Sequence, residues 1–223
     1  MRKSIVAILR MFAFGLLMIP FVSCEKDTDG DDIKQEETGG TEDFFVDAID
    51  LGLSVKWAEH NVGATKPEEY GGYYAWGEIE EKDVYANVNY KYYDNNKEDF
   101  VSIGANISAT EYDIAYVSWG KDWRMPTQKE IEELCDGCSW LWTSVNGVNG
   151  YRVTGPNGNN IFLPAGGFRV DSDIEGRGSE GRYWTGTLIE NGYSYYLYFD
   201  DEIQECDYSH RSYGRTIRPV KDK

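Results

Sequence analysis

The chain has 223 residues, a formal net charge of −17 and an aromatic content of 15% that includes 17 Tyr. That length holds one ordinary domain with extras, and that charge repels nucleic acid and anionic membrane surfaces, which argues against polyanions as partners. With only His60 and His210 in the chain, imidazole acid–base catalysis is poorly supplied and no Ser or Cys triad can be assembled.

The extras come first. Arg2, Lys3 and Arg10 make a basic start, followed by an apolar run from Met11 to Val22. About a dozen apolar residues is the length of a signal-peptide core and falls short of the roughly 20 needed to span a bilayer. Phe21-Val22-Ser23-Cys24 resembles the lipobox of bacterial lipoproteins, with Phe21 where Leu is usual. The resemblance implies that residues 1–24 are a signal peptide ending at a lipidated Cys24, whose acyl chains attach the protein to the membrane. Residues 25–43 are acidic and poor in apolar side chains, which predicts a disordered tether. An acidic stretch directly after the lipidated Cys is similar to the export signal of surface lipoproteins in some Gram-negative bacteria. The expected address is therefore the outer membrane, lipid-anchored and surface-exposed.

A globular domain is expected over 44–223. Phe44–Leu51, Val55–Ala58 and Tyr73–Trp76 read as strands. Glu80 to Ile107, rich in Tyr, Asn and Lys, reads as a long surface insertion. Asp113–Trp119 suits a helical turn. Thr127 and Glu130 form a capping box, Ile131, Leu134 and Cys135 share one face, and Gly137 supplies a left-handed stop, which together predict one well-formed helix. Beyond it the chain is strand and turn. Asn146-Gly147 and Asn191-Gly192 mark hairpins, Ile161–Pro164, Tyr183–Thr187 and Tyr193–Phe199 are strands, and Gly214–Val220 is the last one. No repeat is visible.

Several of these pieces resemble one family. Asp50–Ala58, Asn61-Val62-Gly63-Ala64, Tyr74-Ala75-Trp76-Gly77-Glu78, Trp123-Arg124-Met125-Pro126-Thr127, Phe162–Gly167 and Ile217-Arg218-Pro219-Val220 are similar to the signatures of the Fibrobacter succinogenes major paralogous domain. That family is common in surface lipoproteins of Bacteroidetes-type gut bacteria. The resemblance implies an α+β, C-type-lectin-like fold with short twisted antiparallel sheets, one or two helices and long loops. It also implies a distant relation in fold to the formylglycine-generating enzyme. On this reading Trp57, Trp76, Trp123 and Trp184 are core aromatics, and Arg124, Pro126 and Thr127 launch the helix.

The chemistry-bearing residues are few. An envelope location permits a disulfide from Cys206 to Cys135 or to Cys138. Zinc held by Cys135, Cys138, His60 and His210 lacks a second closely spaced pair. Asp171, Asp173 and Glu175 before Gly176 copy the first half of a calcium loop, but Arg182 stands where the closing Glu belongs. Asp200 and Asp201 are a second acidic candidate for calcium, the one cofactor considered. Tyr193, Tyr195, Tyr196, Tyr208 and Tyr213 are candidate ligand-binding residues, because exposed Tyr offers amphipathic faces to sugars and to protein partners. The expected function is a non-catalytic binding domain for a glycan or a protein. The rivals are a structural or assembly subunit of a surface appendage and, with a Cys pair it visibly lacks, a formylglycine-generating-type oxidase.

Overall fold

A computed structural model describes residues Val46–Lys223, within one compact unit that spans Asp43–Lys223. Cys24 and the expected tether 25–43 lie outside the described residues. Regular structure begins with β1 (Ala48–Asp50) and β2 (Lys56–Ala58) and ends with β14 (Val220–Lys221). Between them come β3 (Tyr93–Asp94), β4 (Asp99–Phe100), α1 (Ile114–Trp119), β5 (Trp123–Arg124) and α2 (Gln128–Gly137). The second half holds β6 (Ser139–Val145), β7 (Val148–Thr154), β8 (Asn160–Pro164), β9 (Phe168–Val170), β10 (Asp173–Glu175), β11 (Gly181–Glu190), β12 (Tyr193–Phe199) and β13 (Gln204–His210). Among the described residues the architecture is α+β: two short α-helices among small antiparallel sheets.

Both ends of the domain share one sheet of order β1-β2-β14-β5, so Val220 pairs with Trp57 on one side and Arg124 on the other. Two three-stranded meanders, β6-β7-β8 and β11-β12-β13, supply the longer strands. Asn146 and Gly147, at φ +48° and +84°, make the primed turn between β6 and β7 that an Asn-Gly pair favours. The main core lies where α2 meets these sheets, with Leu51, Trp57, Ile131, Leu134, Val153 and Phe199 among its buried members. A second cluster gathers Trp76, Ile107, Met125, Trp184 and Ile217. The four expected core tryptophans are buried, Trp123 least so at 7% exposure.

The helix starts as its sequence dictates. Thr127 accepts from the Glu130 backbone, and the Glu130 carboxylate takes the Thr127 N–H at 2.7 Å. Glu130 also pairs with Arg124, which reaches on to Asp222. The end differs from expectation. Gly137 is the last helical residue, and Cys138 closes the helix in an extended conformation. Gly137 matters for room instead, since a Cβ there would lie 3.0 Å from a Leu53 methyl. Asp113 caps α1 from full burial, where it accepts backbone N–H groups from Ala109, Ala115, Tyr116 and Met125.

Two strand expectations are corrected. Tyr73–Trp76 makes one bridge, Tyr74 to Arg215, and no ladder. The C-terminal stretch from Gly214 is regular only at Val220–Lys221 and otherwise touches its neighbours through single bridges at Gly214, Arg215 and Thr216. Three arginines in and just before this C-terminal stretch are buried. Arg211, Arg215 and Arg218 are each at most 1% exposed. Arg218 donates to Asn61 Oδ1 (2.7 Å) and to the carbonyls of Ala58, Glu59 and Phe162 (3.2, 2.9 and 2.9 Å). Arg211 bonds the Tyr90 hydroxyl and the Val101 carbonyl and stacks near Trp76 and Phe100, which holds the 80–107 insertion down.

Arg218→Met should leave four acceptors without their partner, a loss of roughly 4–12 kcal/mol at about 1–3 kcal/mol for each acceptor left unsatisfied, before relaxation and water reduce it. Urea unfolding of this variant beside Arg152→Met, at an exposed position, measures it. Equal midpoints for the two would remove Arg218 from the framework.

Candidate functional site

One cleft of about 230 Å³ gathers polar groups from three remote segments: Tyr85 and Asn87 from the insertion, Asp171 from the β9–β10 turn, and His210 at the end of β13 with Ser212 and Tyr213 beyond it. Backbone bonds zip these segments together. Tyr85 and Asp171 exchange N–H···O bonds of 2.8 and 3.0 Å, and Arg169 and Gly214 do so at 2.7 and 2.9 Å. Gly214 is required by this closeness, because a Cβ on it would meet the Tyr85 ring at 2.6 Å. Ser212 Oγ donates to Asn87 Oδ1 at 2.7 Å across 125 residues of sequence. Asp171 sits at φ +49°, a left-handed turn position that Asp tolerates.

The wall of the cleft is aromatic. His210 lies 4.4 Å from Tyr193, ring centre to ring centre, with its Nε2 3.1 Å from the Tyr193 hydroxyl. Tyr213 is 5.6 Å from His210, and Tyr208 continues the strip beside Tyr193 at 6.2 Å. His210 Nδ1 is buried and has no hydrogen-bond partner. The cleft is smaller than the roughly 300–1,000 Å³ of drug-sized ligand sites, so it suits a single ring or side chain. A larger cleft of about 390 Å³ beside Val62, Tyr74, Ile114 and Trp119 is mostly apolar and lacks such converging polar groups.

The five candidate tyrosines therefore divide. Tyr213 lines the cleft, Tyr193 and Tyr208 extend its aromatic wall, and Tyr195 is half-buried opposite Tyr208. Tyr196 is corrected to a core residue. It is 3% exposed on the other face of β12, packed on Trp184 and bonded to Asp207. Alternation along the strand separates it from Tyr193 and Tyr195. Burial pushes its hydroxyl pKa up to about 12.

The acidic candidates also part company. In place of a calcium loop the chain forms a hairpin in which Asp173 pairs with Val170 and Glu175 with Phe168. A straight, exposed strand does not curl its oxygens around one ion. Asp200 is spent on its own turn, accepting from the backbones of Glu202 and Ile203 and from the Tyr198 hydroxyl, bonds that lower its pKa. Asp201 is exposed beside it. Among the described residues no group of three or more His, Cys, Asp or Glu is placed to hold a metal.

The expected disulfide is not made. Cys135, Cys138 and Cys206 are free thiols. They pack half-buried at the rim of the main core, in the manner of small apolar side chains. Burial pushes their pKa values up to about 12, 11 and 12. A thiol so far from ionising is a poor nucleophile. At pH 7.5 these three should resist iodoacetamide in the native protein and react fully in urea, as read by peptide mass mapping. Rapid native labelling of any of them would overturn that placement.

Asn87 and Ser212 had no signal in sequence, and His210 appeared only as a possible zinc ligand. Comparison of the chain with protein-family models, with curated proteins and with solved structures found no match in any of the three.

Proposed function

We propose that this chain is a lipid-anchored protein of the bacterial outer surface whose domain binds a glycan and does not catalyse. The observation that carries the reading is the cleft at Asn87, Asp171, His210, Ser212 and Tyr213, where a carboxylate, an amide, a hydroxyl and an aromatic face converge. Sugars are recognised by that mixture, with hydroxyls taken by planar polar groups and the ring laid on an aromatic face. The motif resemblance supports a C-type-lectin-like fold of the Fibrobacter major paralogous type, and the small antiparallel sheets with two helices agree with it at the coarse level. Cys24 with its lipobox-like approach supports the anchor.

Two observations weigh on the rivals. The raised thiol pKa values oppose cysteine oxidase chemistry. An assembly subunit often pairs through an open sheet edge. At the β13 edge the Tyr208 N–H is already taken by Asp207 Oδ1 at 2.7 Å and the His210 carbonyl by Tyr213 N–H.

A glycan array probed with the protein, with and without calcium, tests the proposal. Binding is expected, and Tyr213→Ala should weaken it at least tenfold, about 1.4 kcal/mol. A blank array under both conditions, followed by recovery of a protein partner in pull-downs, would replace the glycan with a protein ligand. In cells, Cys24→Ala should move the protein out of the membrane fraction, and retention there would sink the lipid anchor.

A further inference from the structure

The aromatic wall of the cleft continues past its mouth. Strand pairing sets Tyr193 opposite His210 and Tyr195 opposite Tyr208, so these four rings form two neighbouring rungs on one face of the β12–β13 ladder. Tyr213 stands 5.6 Å from His210 at the cleft end, and Tyr193 lies 6.2 Å from Tyr208 across the two rungs. Side chains two residues apart on a strand are separated by about 6.7 Å, a step of the same order as one sugar unit. Tyr213 and the two rungs therefore make three successive platforms. The next rung, Leu197 with Cys206, packs into the main core with Ile131 and Leu134 of α2 and ends the row. Tyr208 is 52% exposed, and Tyr193, Tyr195, His210 and Tyr213 each keep part of their surface.

Two features say what covers this row. Alternation turns Glu205 and Asp207 of β13 to the opposite face, where Asp207 holds the Tyr196 hydroxyl. The rungs thus carry no Asp, Glu, Lys or Arg, in a chain of net charge −17. Glu190, opposite Tyr193 at the hairpin end, and Asp171, in the cleft, flank the row and oppose an anionic partner. The backbone edge of β13 is closed to an added peptide strand at two places, because Asp207 Oδ1 takes the Tyr208 N–H and the His210 carbonyl takes the Tyr213 N–H. What the row offers instead is ring faces with polar edges, which suit an uncharged sugar chain. We propose that the β12–β13 row continues the cleft as two further subsites, so that the ligand is an uncharged oligosaccharide with one unit against Tyr213 and the next two along the rungs. This rests on the glycan reading and gives it a length, a direction and a charge. Linked units lose their freedom of movement together, so each platform reached adds contact at little further cost of association.

The test is calorimetry on the full chain with glucose, galactose, mannose and N-acetylglucosamine, each as the single unit and as linear oligomers of two, three and four. At least one series is expected to tighten with each unit up to three, by tenfold or more in all, and to gain nothing from the fourth. Tyr208→Ala, at the most exposed ring of the row, should remove the gain from the third unit. The affinity should hold between about 50 and 500 mM salt, as it does for a ligand without charge. Because the length series is measured on the unmutated protein, it stands whether or not the variant folds. A single unit binding as tightly as three would sink the row and leave the glycan cleft intact. A third-unit gain that survives Tyr208→Ala would place the added subsites elsewhere and sink the row as well. A steep loss of affinity with salt would overturn the uncharged ligand. No sugar bound at any length would overturn the row and the glycan reading together.

Discussion

The burial of three arginines, Arg211, Arg215 and Arg218, near the end of the chain constrains much else in this domain. A guanidinium withdrawn from water must be compensated on the spot, and each of the three is compensated differently. Arg218 does it with carbonyls and one amide, drawn from the end of β2, the following loop and β8. These strands belong to separate sheets, so the side chain ties sheets that share no ladder. Arg211 divides its needs between the Tyr90 hydroxyl, the Val101 carbonyl and aromatic faces. Arg215 is enclosed by aromatic rings, with its Cζ 4.1 Å from that of Trp184 and 4.0 Å from that of Tyr196. Burial lowers the pKa of Arg215 to about 9 and that of Arg218 to about 10, which leaves both charged at neutral pH.

This arrangement explains how short sheets make a stable unit. Most strands here are two or three residues long, too short to hold together through ladder bonds. Cohesion comes from aromatic packing and from long side chains that cross between layers. Trp76 Nε1 bonds the Thr185 carbonyl and Trp184 Nε1 the Tyr74 carbonyl, a reciprocal pair that joins the segment before the insertion to β11. The insertion, which has almost no regular structure, is nevertheless packed through Tyr85 and Tyr90, both nearly fully buried. Its order is a consequence of the C-terminal segment on which it lies, and the cleft forms at that junction.

The split among the candidate tyrosines follows the same logic. Tyr193 and Tyr196 look alike in composition, yet strand alternation sends one toward the cleft wall and the other under Arg215. The core residue and the wall residue thus belong to one continuous structure, with Tyr213 between them.

What the sequence determined by itself is local. The capping box at Thr127 and Glu130, the Asn146-Gly147 turn, the β11–β12 pairing around Asn191-Gly192 and the burial of four tryptophans were all legible, because each depends on a few neighbouring residues or on plain hydrophobicity. The strand β13 and the hairpin at Asp171 were not. The first is polar along much of its length and is a strand because β12 offers an edge. The second resembles a metal loop until its partner residues Phe168 and Val170 are seen to pair with it. Tertiary structure alone decided the cleft and the buried arginines. An arginine is read from sequence as solvent-facing, since desolvating it is costly; only when Trp184, Tyr196, Asn61 and the carbonyls of distant strands arrive at the same point is that cost met. Asn87 and Ser212 become neighbours for the same reason, across a separation that no local rule spans.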